Sequence, residues 1–319
     1  MPLVDSLYQS PWYLPGGHLQ TIVPALGRKT SHITHEKERL ELPDSDFLDL
    51  EWHRQTPLRK RLVILCHGLE ANAGASYLQE MATALSEKGW DVLAWSYRSC
   101  SGEMNRLPRF YHSGATEDLS AVIQHALQTH SAPRIDLVGF SLGGNLILKY
   151  LGEQTKEVST RLGRAVTFSV PCDLASSSEA LDTAFNRVVY MRRFIKSLAR
   201  KIEQKHALFP EKLNPANLKG ARTFRQFDDR YTAPIHGFAD AKDYWKQSSS
   251  RQFLAQIRIP TLLVNALNDP FLGPRCYPES EARANEFFTF EAPAQGGHVG
   301  FPGRDELSWM ATRALQFLE

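Results

Sequence analysis

The chain has 319 residues, of which 42% are hydrophobic and 23% are charged, so it can bury a large core and is not an extended disordered tail. Its 37 lysines and arginines nearly balance its 35 aspartates and glutamates, and this gives no sign of a nucleic-acid partner. No run approaches the roughly 18 apolar residues of a membrane span. Residues 1–17 lack the pattern of a secretory signal, so we expect a cytoplasmic protein without a transmembrane segment.

The cysteine pattern gives no sign of a metal or a disulfide framework. The four cysteines are scattered and form no C-x-x-C pair: Cys66, Cys100, Cys172 and Cys276. Free thiols are typical of a reducing cytoplasm. We therefore expect neither a metal site nor a cofactor held by cysteine.

The chain begins with a segment that is rich in aromatic residues, proline and glycine. We interpret residues 1–35 as an irregular arm that packs on the body and hides Trp12, Tyr13 and Leu14. The next pattern, over residues 38–52, is two alternating runs separated by Asp-Ser-Asp. It predicts a β-hairpin.

Short apolar runs then alternate with helical patterns along most of the chain. The sequence predicts strands at 61–68, 90–97, 134–140, 163–170, 260–266 and 285–292. It predicts helices at 75–89, 116–130, 142–153 and 305–319. This alternation is typical of an α/β fold with a mostly parallel central sheet, flanked by helices and joined by right-handed crossovers.

One long segment interrupts this alternation. Between Val170 and Pro260 there is no clear strand, and a structureless loop of that length would be unusual. We therefore predict a helical cap or lid at 171–254, inserted into a core formed by 36–170 and 255–319.

Within this insertion, apolar residues recur at helical spacing: Phe185, Val188, Met191, Ile195, Leu198 and Ile202. The residues between them are mostly basic: Arg187, Arg192, Arg193, Lys196, Arg200, Lys201 and Lys205. This pattern allows two interpretations. The helix either packs on the core with a solvated basic face, or forms a lid that faces an amphiphilic substrate or an anionic lipid surface.

A candidate nucleophile lies in the segment Gly-Phe-Ser-Leu-Gly at 139–143. An apolar strand precedes Ser141 and a helical pattern follows it, which is the context of a nucleophile elbow. Such a tight turn exposes the hydroxyl at a helix N-terminus, where the helix dipole favours developing negative charge. A nucleotide-binding turn is the alternative, but this segment is not G-x-G-x-x-G.

A serine hydroxyl needs a base before it can act as a nucleophile at neutral pH. His298 is our candidate because it follows the last predicted strand and has glycines on both sides. His67 and His112 are the main rivals. We expect His67 to fix its loop rather than to take part in chemistry.

The base in turn needs a carboxylate that orients its ring. Asp269 follows the strand at 260–266, and Pro270 stops the chain from continuing as a strand or helix. Asp173, just after the preceding strand, is the rival. The order serine, acid, histidine matches an α/β hydrolase with either acid, so order alone does not choose between them.

An oxyanion formed by acyl transfer needs backbone N–H donors. We predict that one donor is the amide of Leu142, the residue after the candidate nucleophile. The second is the amide of Leu69, in the loop after the strand at 61–68, where Gly68 allows the backbone to approach a substrate.

Several long motifs resemble the YheT-like branch of the α/β hydrolases. They include His-Leu-Gln-Thr at 18–21 and the segments 66–77, 96–119, 139–145, 227–245, 268–271 and 296–301. Together they extend over nearly the whole chain. The resemblance implies an α/β-hydrolase fold and a catalytic triad of Ser141, Asp269 and His298, with no cofactor.

The resemblance also implies activity on carboxylic esters, including lipid-like esters. We expect a serine esterase that acts on short- to medium-chain or lipid-like acyl groups through an acyl-enzyme. Peripheral contact with a membrane is compatible with such substrates. The alternatives are an acyltransferase or thioesterase that uses the same acyl-enzyme, a peptidase, and a binding module that keeps only the fold.

Overall fold

The computed structural model describes residues 2–28, 35–57, 59–154, 160–303 and 308–319. Nine strands form one sheet: β1 (Leu3–Val4), β2 (Glu36–Glu41), β3 (Phe47–His53), β4 (Arg61–Cys66), β5 (Asp91–Ser96), β6 (Arg134–Phe140), β7 (Leu162–Phe168), β8 (Thr261–Val264) and β9 (Phe288–Glu291). All six strands predicted after the hairpin are present, as is the hairpin itself.

The spatial order of the strands is β1-β9-β8-β7-β6-β4-β5-β3-β2. In this spatial order, all neighbouring strands from β1 through β9 to β5 are parallel. Strand β3 is antiparallel to β5, and β2 is antiparallel to β3. The sheet is covered on both faces, because alternate residues of β4 enter different apolar clusters. Leu62 and Ile64 belong to one cluster, and Val63 and Leu65 to the other.

The described helices follow the chain in three groups. The first four are α1 (Gly16–Gly27), α2 (Ser76–Glu87), α3 (Thr116–Thr129) and α4 (Leu142–Glu153). The insertion contains α5 (Leu174–Leu181), α6 (Ala184–Asn186), α7 (Arg192–Leu208), α8 (Phe224–Phe227), α9 (Ala233–His236) and α10 (Ala241–Ser248). The last two are α11 (Glu279–Ala284) and α12 (Trp309–Leu318). The predicted start of the final helix falls in 304–307, outside the described residues.

The described part of the insertion contains helices and turns but no strand between Phe168 and Thr261. A π-helical turn, Arg187–Met191, joins α6 to α7, and we refer to residues 184–208 as the cap helix. Met191, Ile195, Leu198 and Ile202 are buried, as the apolar spacing predicted.

The prediction for the start of this helix was wrong: Phe185 and Val188 are 53% and 70% exposed. The π-helical turn explains the difference, because its i→i+5 bonds rotate the residues before it relative to those after it.

The basic side of the cap helix is also less uniform than predicted. Lys201 is buried and pairs with Glu70, with Nζ 2.7 Å from Oε1. Lys205 is buried as well and donates to the carbonyl oxygens of Asn105 and Arg109. A buried ammonium group needs partners, and both lysines find theirs outside the insertion. They therefore hold the cap helix against the loops that contain Glu70 and Asn105.

The N-terminal arm packs on the body only in part. It adds β1 to the sheet edge, parallel to β9, and forms α1. Leu14 is buried as predicted, but Trp12 and Tyr13 are exposed, which corrects the expectation that the body covers them. Within the described ranges, no helix is long and apolar enough to cross a membrane.

Candidate active site

Ser141 lies between the end of β6 and the start of α4. Its backbone has φ 52° and ψ −118°, in a region that residues other than glycine rarely adopt. The turn is held in place because the Ser141 amide donates to the carbonyl oxygen of Phe168, at 2.9 Å. The hydroxyl is thereby presented at the N-terminus of a helix.

The glycines around Ser141 are required by close backbone contacts. A Cβ on Gly139 would lie 2.7 Å from the carbonyl oxygen of Gly143. A Cβ on Gly143 would lie 2.4 Å from the carbonyl oxygen of Cys66. These distances are too short for real atoms, so the turn depends on glycine at both positions.

His298 lies in the loop after β9 and reaches Ser141. Its Nε2 is 3.0 Å from the hydroxyl oxygen of Ser141. The next residue, Val299, has φ 51°, which is uncommon for a β-branched residue. Its amide donates to the hydroxyl of Ser169 at 2.8 Å, and this contact helps to hold the strained backbone.

Asp269 lies in the turn after β8 and contacts the other side of the His298 ring. The two carboxylate oxygens are 3.1 and 2.9 Å from Nδ1 of His298. The Asp269 side chain is completely buried, and its Oδ1 also accepts from the amide of Phe271 at 2.8 Å. Ser141, His298 and Asp269 thus form one continuous chain of hydrogen bonds.

The rival acid, Asp173, is engaged elsewhere. It is the N-cap of α5, where its side chain accepts from the amide of Ser176 at 2.7 Å. Its other oxygen is 3.0 Å from Nε of Arg275. Asp173 therefore has structural partners, and none of its described contacts is with His298.

The rival histidines also have local partners. Nδ1 of His67 bonds the carbonyl oxygen of Gly68 at 2.7 Å, and its Nε2 accepts from the amide of Tyr97. Burial lowers the pKa of His67 to about 3, so the ring is neutral. Its two hydrogen bonds fix the loop in which it lies. Burial likewise lowers the pKa of His112 to about 3, and its Nδ1 accepts from the amide of Gly114.

The two candidate oxyanion donors border the same space as Ser141. In the described residues, the amides of Leu69 and Leu142 donate to no protein acceptor. The amides on either side of Leu69 are occupied, since Gly68 donates to the hydroxyl of Tyr77 and Glu70 to that of Tyr111. The loop is thus fixed while the Leu69 N–H stays available to a ligand.

Comparison with known proteins agrees with this architecture. The sequence model of the α/β hydrolase fold family matches residues 61–304. Over 309 residues, the chain is 37% identical to YheT of Escherichia coli K12, a candidate esterase by name, covering 94% of this chain and 89% of that protein. The chain belongs to the YheT-like α/β hydrolases.

More distant relatives and solved structures are consistent with this family. The chain is 26% identical to the phospholipase ABHD3 of Mus musculus, across 94% of this chain and 74% of that protein. The crystal structure of the esterase Pf2001 from Pyrococcus furiosus superposes with a TM-score of 0.60 at 17% identity, covering 90% of this chain and 91% of that one. This hydrolase is a carboxylic ester hydrolase.

The hydrolase has a cavity of about 630 Å³ that Ser141 and His298 border. Apolar side chains from the cap and from α1 form much of its wall, among them Ile22, Leu198 and Phe227. Asp228 is one of the polar residues at this wall, and burial raises the pKa of its carboxyl to about 7. A cavity of this size and lining fits a small to medium-sized, mostly apolar ligand.

Sequence reasoning missed three side chains that contact the two loops of the site. The ring of Phe271 stacks on that of His298, with centroids 4.0 Å apart. Thr21 of α1 accepts from the amide of His298 at 2.8 Å. Gln20 accepts from the amide of Gly296 at 2.8 Å and from the side chain of Asn268 at 2.9 Å.

These contacts give the His-Leu-Gln-Thr motif a physical explanation. Gln20 is completely buried and bonds the loops that carry both Asp269 and His298. Its amide nitrogen donates to the carbonyl oxygen of Leu14 and to Gln295. The motif itself was the available signal, but without the fold nothing in it indicates which loops it contacts.

We expect the variant Gln20→Leu to lower kcat by about 10²-fold, because a displacement of about 1 Å in the catalytic groups costs this much. KM for a short soluble ester should change little, since Gln20 does not border the cavity. Steady-state kinetics checks this, with thermal unfolding as the control for an intact fold. A change confined to KM, or a loss of kcat that only follows a loss of folded protein, would contradict a positioning role.

Proposed function

We propose that this hydrolase is a serine esterase that cleaves short- to medium-chain or lipid-like carboxylic esters through an acyl-enzyme on Ser141. The observation that carries the proposal is the hydrogen-bonded chain from Asp269 through His298 to Ser141, at the wall of a mostly apolar cavity. The strained backbone at Ser141 supports it as well, because such strain is common at nucleophile elbows.

In the first step, the Ser141 oxygen attacks the ester carbonyl carbon while Nε2 of His298 takes the hydroxyl proton. The carbonyl oxygen becomes negatively charged and accepts hydrogen bonds from the Leu69 and Leu142 amides. Asp269 orients the ring and stabilises its positive charge. His298 then returns the proton to the leaving alcohol as the C–O bond breaks, which leaves the acyl group on Ser141.

In the second step, water replaces the alcohol. His298 removes a proton from the water as its oxygen attacks the acyl carbon, and the same two amides hold the second oxyanion. The proton then passes to Ser141 as the acyl bond breaks, releasing a carboxylic acid and the free enzyme. No step in this sequence needs a metal or an organic cofactor.

The cavity supports an acyl group of limited length as the substrate part that enters the site. Its volume of about 630 Å³ lies within the usual range for small-molecule sites. Its apolar wall favours a hydrocarbon chain, because removing apolar surface from water contributes about 0.8 kcal/mol for each CH₂ group.

The test is hydrolysis of p-nitrophenyl esters from acetate to palmitate by the full chain. We expect kcat/KM to rise with acyl length, to pass through a maximum at medium length and then to fall once the cavity is filled. Product analysis with added ethanol separates hydrolysis from acyl transfer. An ethyl ester as the main product would favour the acyltransferase, and cleavage of peptides alone would favour a peptidase. Failure to hydrolyse any ester of the series would contradict the proposal.

A further inference from the structure

Helix α1 has an unusual orientation of its apolar residues. Leu19, Val23 and Leu26 are spaced i, i+4, i+7, so they share one face, and all three are exposed. The opposite side of the helix buries the polar residues Gln20 and Thr21. A surface helix that faces only water has its apolar residues toward the core and its polar residues toward the solvent. The exposed face therefore indicates an apolar partner outside the body.

The exposed apolar surface continues on both sides of α1. Trp12, 86% exposed, and Tyr13 precede the helix, and their rings contact each other. Phe185 and Val188 of the cap helix are exposed as well, and the Phe185 ring lies 4.4 Å from that of His18. We call this set the apolar rim: Trp12, Tyr13, Leu19, Val23, Leu26, Phe185 and Val188.

The apolar rim borders the entrance to the Ser141 cavity. Leu26 lines that cavity although the residue is 76% exposed, and Arg193 of the cap helix likewise lines the cavity and is exposed. A cavity wall can be this exposed only where the cavity opens to the outside. Whatever covers the rim therefore lies against the opening through which a substrate enters.

The charges around the rim indicate the chemistry of that partner. The segments 11–28 and 183–202 contain no aspartate or glutamate, although the whole chain is nearly neutral. Arg192, Arg193, Lys196 and Arg200 are exposed, and no acid among the described residues pairs with them. A second copy of the chain would bring two positive surfaces together, which is unfavourable. An anionic surface would balance these charges.

We propose that the apolar rim and the basic residues beside it dock this hydrolase on an anionic phospholipid surface. Exposed tryptophan and tyrosine at the edge of an apolar patch are typical of side chains that enter the lipid headgroup region. The basic residues add attraction to anionic headgroups. The inference rests on the proposed function for its purpose, because docking there places the cavity opening against a source of lipid-like esters.

The test is flotation of the full chain with phospholipid vesicles, either pure phosphatidylcholine or phosphatidylcholine with a quarter phosphatidylglycerol. We expect the protein to float with the anionic vesicles and to be released at high salt.

Leu19→Ser with Val23→Ser should lower the partition coefficient by about tenfold or more. Arg192→Gln with Lys196→Gln should lower it by about 30-fold. None of these four side chains lines the cavity, so hydrolysis of a short soluble ester should not change.

A matched control lies at the far end of the cap helix. Leu208 is an exposed leucine there, about 35 Å from Phe185 along the helix axis. Leu208→Ser should bind vesicles as the wild type does, and unchanged thermal unfolding of every variant shows that the fold is intact. Equal binding by the wild type and the two double variants overturns the proposal.

Two further outcomes distinguish membrane docking from the proposed esterase function and from dimer formation. Ser141→Ala should float like the wild type, so loss of esterase activity leaves the docking result intact. Flotation without hydrolysis of any ester would contradict only the proposed function. A wild type that stays off all vesicles and forms a dimer, which Leu19→Ser with Val23→Ser dissociates, overturns the docking proposal in favour of a second copy.

Discussion

Ser141→Ala is expected to lower kcat on a p-nitrophenyl ester by on the order of 10⁶-fold, the loss typical of removing a serine nucleophile. Alanine keeps the Cβ and therefore the strained backbone of the elbow, but it removes the oxygen that lies 3.0 Å from Nε2 of His298. The same variant should lose all labelling by a fluorophosphonate, because that reagent forms its bond with the activated oxygen. Steady-state kinetics and gel fluorescence measure the two effects.

The control is Ser280→Ala, which makes the same change at an exposed serine; among the described residues, its hydroxyl donates only to the neighbouring Glu281. It should keep full activity and labelling. If Ser141→Ala retained most of its turnover, another residue would carry the acyl group and the elbow would be structural. Labelling of Ser141 without turnover of any ester would instead indicate an acyl acceptor other than water.

The α/β fold was predictable because each part of its core has a strong local signal. Buried parallel strands are short continuous apolar runs, and the helices between them have a clear period. The elbow at 139–143 was predictable for a similar reason, since glycine is required wherever a Cβ would strike the backbone. These signals concern neighbours in sequence or patterns repeated along it.

The outer parts of the molecule were less predictable. Strand β1 has two residues, too few for a periodic pattern. The exposed Phe185 and Val188 follow from one π-helical turn, which leaves no mark in hydrophobic spacing. The burial of Lys201 depends on Glu70, a residue distant in sequence and brought close only by the fold. Each miss thus arises from tertiary context.

The candidate site is built at one edge of the sheet. Leu69, Ser141, Asp269 and His298 follow β4, β6, β8 and β9 respectively, and these strands are parallel. The carboxyl ends of parallel strands lie at the same edge, so residues distant in sequence meet there. Asp173 follows β7, which lies between β6 and β8. Both acids therefore come after Ser141 and before His298, so chain order could not decide which of them orients the histidine.

Replacement of the two acids separates them by function. Asp269→Asn is expected to lower kcat by about 10⁴-fold, because asparagine favours the wrong tautomer of the base. The change keeps the size of the side chain, and asparagine can still accept from the amide of Phe271. Its amide group, however, cannot stabilise the positive charge that forms on His298 during acylation. Pre-steady-state kinetics of acyl-enzyme formation on a medium-chain ester measures the effect directly.

Asp173→Asn is the matched control, since it makes the same change at the acid of the neighbouring strand. Asparagine is also a good N-cap, so α5 should keep its start, and only the ion pair with Arg275 is lost. That pair is partly exposed, and such pairs contribute about 0–1 kcal/mol to stability. We therefore expect nearly full activity and a small loss of stability. A large loss of kcat in Asp173→Asn with an active Asp269→Asn would reverse the assignment, because the hydrogen bond from Asp269 to His298 would then be structural alone.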